Sequence, residues 1–163
     1  NIRRINRGDL MRSDELKLVN KSQPLIGSMN MFFYDAKHKE TLPYFDRFPL
    51  SIIVKGAPGG FLGLNLHYLP PILRAKMLDG LMETVNNKKY DETTKFQITY
   101  NLLQATARLK FYKPCLKHYL FSQVKSRLAR VEAPEWEIAT FLPMADWSGS
   151  SSSKVYQDSR KII

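Results

Sequence analysis

The chain has 163 residues, 44% of them apolar, and a formal net charge of +10 at neutral pH. Those figures suit one domain with a sizeable core and argue against a chain that is disordered throughout. Cys115 is the only cysteine, which excludes an internal disulfide and a cysteine-held metal. The most apolar runs, such as Pro49 to Val54, fall far short of the roughly 18 residues a membrane-spanning helix needs, and Asn1 to Lys21 contains no apolar core of a secretory signal.

Residues 1–27 read as a basic N-terminal arm. Hydrophobic periodicity is weak there, Arg3, Arg4 and Arg7 form a cationic cluster, and Pro24 and Gly27 close the segment. Ser28 to Asp35, with its Met-Asn-Met-Phe-Phe-Tyr run, predicts a strand. Ala36 to Thr41 is a charged turn. Arg47 to Lys55 predicts a second strand, built on Ser51-Ile52-Ile53-Val54. Gly56-Ala57-Pro58-Gly59-Gly60 supplies the turn of a hairpin, and Phe61 to Leu69 the returning strand. In that strand Leu62, Leu64, Leu66 and Tyr68 are expected to face the core, with Phe61, Gly63, Asn65, His67 and Leu69 on the other side.

Pro70-Pro71 ends the strand and opens a helix over Ile72 to Val85, with Leu73, Met77, Leu78, Leu81 and Met82 at helical spacing. Asp91 is a candidate cap for a second helix, Glu92 to Phe111. Pro114 opens a predicted third helix, Cys115 to Leu128, with Leu116, Leu120, Val124 and Leu128 in one row. Glu135 to Leu142 alternates in a way that predicts a strand, with a short helix as its rival. Residues 28–145 thus form a single domain. Residues 146–163 read as a Ser-rich linker and a C-terminal tail whose Val155, Tyr156, Ile162 and Ile163 are expected to dock on a partner. The predicted class is α+β: a small antiparallel sheet or partial barrel, a layer of about three helices, and extended terminal arms.

The clearest functional hint is the placement of charge. From Thr93 to Val131 there is no acidic residue, while Lys95, Arg108, Lys110, Lys113, Lys117, Lys125, Arg127 and Arg130 are all present. Such asymmetry favours an anionic partner, nucleic acid or an acidic protein surface. Phe111, Tyr112 and Tyr119 are interleaved with these cations, the pattern of phosphate contacts beside stacking rings. The plainer reading makes the aromatics core and the lysines a solvated face. His118 belongs to the basic surface, and His67, between Leu66 and Tyr68, reads as a structural histidine.

Catalytic and cofactor motifs are missing. The glycine-rich stretch Gly56 to Gly63 joins two strands, so no helix N-terminus stands behind it to hold phosphate. His38, His67 and His118 are far apart in sequence, and no serine-nucleophile elbow is present. Asp35 and Asp46, flanking the charged turn, are the candidates for a magnesium-dependent nuclease site, a minor option. We therefore expect a non-enzymatic protein with no cofactor, no metal and no membrane partner.

Two blocks carry a resemblance. Phe33-Tyr34-Asp35-Ala36-Lys37-His38-Lys39-Glu40-Thr41-Leu42-Pro43-Tyr44-Phe45-Asp46-Arg47-Phe48-Pro49-Leu50 and Gly60-Phe61-Leu62-Gly63-Leu64-Asn65-Leu66-His67-Tyr68-Leu69-Pro70-Pro71 resemble small virion-associated proteins of T-even-like contractile-tailed phages, cyanophage relatives included. Weaker likeness runs through Lys113 to Leu120 and Lys154 to Arg160. The resemblance implies a structural part of the virion, in tail, baseplate or neck, assembled in the host cytoplasm and joined to other virion proteins. The alternative is a DNA-binding head-completion or DNA-end-binding protein. In either case Arg3, Arg4, Arg7, Arg108, Lys110, Lys113, Lys117, Lys125, Arg127 and Arg130 are the candidate contacts to a polyanion or partner.

Overall fold

The computed structural model describes residues 27–85 and 113–163, and the side chains of all of these but 80–85 and 133. The predicted N-terminal arm, apart from Gly27, and the predicted helix over 92–111 lie outside the described residues.

Five strands form an antiparallel sheet in the order β5-β4-β3-β1-β6. They are β1 (Met29–Met31), β3 (Leu50–Ala57), β4 (Gly60–Asn65), β5 (Leu116–Leu120) and β6 (Ala129–Val131). A two-stranded pair lies apart, β2 (Phe45–Asp46) against β7 (Trp147–Ser148). Helices α1 (Pro71–Val85), α2 (Trp136–Phe141) and α3 (Ser152–Ile162) complete the described elements together with three short 3-10 turns. The α+β class with about three helices is therefore what forms.

Both faces of the sheet are covered. Met29, Met31, Leu50, Ile52 and Leu64 point into one core with Met77 and Leu78 of α1, Trp136 and Ala139 of α2 and Val155 of α3. Phe32, Tyr34, Ile53, Phe61 and Tyr119 point into a second, aromatic core, closed by Val124 and Leu128. Phe32 meets Tyr34, Phe61 and Tyr119 edge to face, at 6.2, 5.8 and 5.3 Å between ring centres, a favoured aromatic geometry. This second layer corrects the one-sided reading of β4. Phe61, Asn65, His67 and Leu69 are buried as fully as Leu64 and Leu66.

The hairpin is as predicted, with Pro58-Gly59 between Ala57 and its partner Gly60. Gly59 has φ +72°, a region open to glycine. Gly60 has another reason to lack a side chain: a Cβ there would run into the Tyr119 carbonyl of β5.

Three expectations are corrected. Residues 115–128 form no helix. They form β5, a 3-10 turn at Phe121–Gln123 and the approach to β6. The four-residue row that suggested a helix is not one buried stripe, since Leu116 is 40% exposed while Cys115 and Tyr119 are buried. Pairing of Tyr119 with Phe61 and Leu120 with Gly60 decides the outcome. The segment from Glu135 is helical, because its buried residues Trp136, Ala139 and Thr140 follow helical spacing. Trp136 Nε1 donates to the Val131 carbonyl at 2.9 Å and anchors the first turn. Finally, the C-terminal segment folds onto the chain's own body. Ser151 caps α3, its hydroxyl accepting from Lys154 N–H, Val155 is fully buried, and Ser159 Oγ donates to the Tyr68 carbonyl at 2.6 Å.

Candidate nucleic-acid interface

An open cleft of about 530 Å³ lies between the charged turn after β1 and strand β5. The turn contributes Lys37, His38 and Leu42. The strand contributes Leu116, Lys117 and His118, and the segment after β4 contributes Tyr68. Tyr44, just before β2, also lines it. Cations, imidazoles, rings and apolar side chains thus share one concavity.

Lys117 is the central cation. Its Nζ sits 4.1 Å from the centre of the Tyr68 ring, within the range of a cation–π contact. Burial pushes its pKa below the usual lysine value, with the neighbouring Cys115 acting weakly the other way. Among the described residues no carboxylate forms an ion pair with it. His118 Nε2 lies 3.0 Å from the Pro58 carbonyl, and because a carbonyl oxygen only accepts, that nitrogen carries a proton.

The floor is fixed by Asp46. Its Oδ1 accepts from the N–H groups of Phe48 at 2.9 Å and Asp146 at 3.1 Å. Its Oδ2 accepts from Asn65 Nδ2 at 3.0 Å and lies 2.7 Å from His67 Nδ1. Burial alone would raise the Asp46 pKa, but the His67 hydrogen bond and charge, with the Asn65 and Phe48 donors, hold it below the ordinary value. One carboxylate therefore ties β2, the turn before β7 and the end of β4 together beneath the cleft. His67 is the structural histidine expected, and its Nε2 is buried without a protein partner among the described residues.

Tyr44 joins this floor to α3. Its hydroxyl donates to Asp158 Oδ2 at 3.1 Å, and its pKa is pushed up to about 12, first by burial and then by that carboxylate. Its ring meets Trp147 edge to face at 6.0 Å, and Trp147 meets Tyr68 likewise at 4.8 Å.

The predicted contact residues that lie among the described residues do not gather on one surface. Lys113 is exposed just ahead of β5, and Lys117 enters the cleft. Lys125 is exposed, its Nζ 3.4 Å from the Ser122 carbonyl. Arg127 and Arg130 are partly buried, and Arg130 lies in β6, at the opposite end of the strand order from β5. Arg3, Arg4, Arg7, Arg108 and Lys110 lie outside the described residues. Of the docking residues expected in the tail, Val155 belongs to the core and Tyr156 accepts from Arg74 Nη2 at 2.9 Å. Ile163 packs against that core, and Ile162 is 50% exposed.

Sequence reasoning missed Lys37, His38, Leu42, Tyr44 and Tyr68 as site residues. The Lys37-His38-Lys39 run was visible, but nothing in it said that the turn would stand opposite β5. The nuclease candidates separate in environment. Asp46 spends its lone pairs on the four donors described, and Asp35 pairs with Lys39 at 3.2 Å. Among the described residues no group of three or more acidic, His or Cys side chains could hold a metal ion.

Comparison with known families places the chain. The family described as "Phage T4 terminal DNA protecting protein" matches residues 8–162. No curated protein and no solved structure matches it. The match upholds the T4-like phage relationship and overturns the expected role as a tail, baseplate or neck component joining subunits. It agrees better with the alternative, a DNA-binding head-completion or DNA-end-binding protein. With the match spanning nearly the whole chain, this protein belongs to the phage T4 terminal DNA protecting protein family.

Proposed function

We propose that this protein binds the ends of linear phage DNA and shields them by occupying them, with no chemical step of its own. The observation that carries the reading is the family match over residues 8–162, whose description names terminal DNA and its protection. The physical means is a chain of net charge +10 with a cleft that sets Lys37 and Lys117 beside apolar and aromatic side chains. Phosphates displace counterions on meeting such cations, and bases find ring and aliphatic surface next to them.

In this reading the arm residues Arg3, Arg4 and Arg7, together with Arg108, Lys110, Lys113, Lys125, Arg127 and Arg130, add sequence-independent attraction to the duplex backbone. Their part is proposed from charge alone. The protein would travel with the DNA, in the virion or in the host cytoplasm during infection.

The test is protection of a linear duplex from an exonuclease. Purified protein should prolong the survival of linear DNA, and the effect should fade steeply as salt rises. Linear DNA degraded equally fast with and without the protein in dilute salt contradicts the reading.

A further inference from the structure

The cleft has the size of a small-ligand site and the lining of a nucleotide site. Its volume of about 530 Å³ lies inside the range of roughly 300–1,000 Å³ typical for pockets that enclose one small molecule. A duplex is read differently, along a groove and over a broad surface. Two large apolar side chains, Leu42 at 43% and Leu116 at 40%, are exposed at the cleft. Lys37 lines the cleft together with Leu42, and Lys117 follows Leu116 on β5. An apolar wall next to two ammonium groups matches one ligand chemistry especially well: a flat base with a phosphate attached.

The one carboxylate in the lining does not oppose this, because Asp46 is held by the Phe48, Asp146, Asn65 and His67 donors. The cationic groups facing the space are Lys37 and Lys117, with the imidazoles of His38 and His118 beside them.

Resting on the end-binding reading above, we infer that the cleft takes a single unpaired terminal nucleotide of the DNA, its base against Leu42 and Leu116 and its phosphate between Lys37 and Lys117. The end of a duplex is where such a nucleotide costs least to expose, since a terminal base is unstacked on one side and an overhanging one is already unpaired. Capture of that nucleotide removes the strand terminus from solvent, which is what protection from an exonuclease requires. The cleft thus reads the end, and the remaining positive charge holds the adjoining duplex.

The experiment compares the full chain on hairpin DNAs with one open end. That end is blunt, or carries a single unpaired nucleotide on the 5′ or on the 3′ strand. A covalently closed dumbbell of the same duplex serves as the endless control. Binding is followed by anisotropy at fixed salt, for the natural chain and for the double variant Lys37→Ala with Lys117→Met. A second variant, Leu42→Ser, alters only an exposed wall residue and leaves the fold alone. The expected result is that one of the overhangs binds about tenfold tighter than the blunt end, and that both variants erase this preference. Overhang and blunt ends bound alike, or a preference untouched by the variants, overturns the cleft inference and leaves end binding intact. Equal affinity for the dumbbell and the open hairpins overturns the end-binding reading itself, and the cleft assignment with it.

Discussion

The ammonium of Lys117 stands over the face of Tyr68, 4.1 Å from the ring centre. The two residues come from parts of the chain about 50 positions apart, joined because β5 pairs with β4 and the 3-10 turn Leu66–Tyr68 follows β4 directly. Under the proposed end binding, this partly buried cation, with a ring for company and no carboxylate ion-paired to it among the described residues, would take a phosphate that arrives from outside.

Lys117→Met should therefore separate stability from binding. Methionine keeps the aliphatic length and removes the charge that burial disfavours. The urea midpoint should hold or rise, while affinity for open-ended DNA falls about tenfold and the slope of log affinity against log salt shrinks by about one. The lysine's folded-state pKa is below its ordinary value, so the folded chain binds fewer protons there than the unfolded one. Its penalty on stability is fully present below the folded pKa and fades as pH rises through it. Unchanged DNA affinity in Lys117→Met would remove this residue from the interface.

Asp46 makes the opposite kind of contribution. Its pKa lies below the ordinary 3.8, so the stability it adds is complete above the unfolded value and is lost as pH falls through the folded one. Asp46→Asn turns an amide N–H₂ toward groups that are themselves donors. It should cost about 3–5 kcal/mol, the range for breaking a buried ionic pair. It should also flatten the acid side of the stability profile. Urea unfolding between neutral pH and the acid limb measures both, and a variant as stable as the natural chain would show that the donors can do without the carboxylate.

Gly60 controls the position of β5. A Cβ there meets the Tyr119 carbonyl and the Leu120 backbone, neither of which is a flexible chain end. Gly60→Ala should destabilise by about 1–3 kcal/mol, as overpacking does. Since β5 carries Lys117 and His118 into the cleft, affinity for open DNA ends should fall too. Calorimetry and anisotropy on the same preparation check the pair of effects.

Helix α3 should be indispensable to the fold. It seats Val155 in the main core, ties Tyr44 through Asp158 and meets buried Arg74 through Tyr156. Val155→Ala should cost about 1.5–3 kcal/mol, the worth of burying a valine side chain. Deleting Ser152 to Ile163 should give a chain without a cooperative thermal transition. A truncated chain that melts as sharply as the whole would mean that α3 is only an appendage.

Legibility in the sequence followed the range of the interactions. The hairpin from β3 to β4 was readable because Pro58-Gly59 and the flanking apolar runs are local signals. Helix α1 was readable because Pro70-Pro71 marks its start and Met77 and Leu78 keep helical spacing. Strand β5 was not, because its state is set by pairing with Gly60 and Phe61, more than 50 residues earlier. Trp136 and Ile138 alternate on paper, yet Trp136 is buried and Ile138 is 45% exposed, so the apparent alternation was not the buried pattern. The tail misled for a related reason. Ser148 to Ser153 has the composition of a linker, but Ser151 caps a helix and Ser152 Oγ accepts from Trp147 Nε1 at 3.1 Å. Within the cleft, Lys117 and His118 were singled out as basic residues, whereas Leu42, Tyr44 and Tyr68 became site residues only once distant segments met. The buried Asp46 with its four donors had no signature at all, since its partners lie as far away as Asp146.

The proposed function requires this protein to recognise the end of DNA and not merely its backbone. The most direct measurement is competition by a covalently closed dumbbell against a labelled hairpin of the same duplex with one open end, in moderate salt. End recognition requires the dumbbell to compete far less well than unlabelled open hairpin. Equal competition by the two would contradict end recognition.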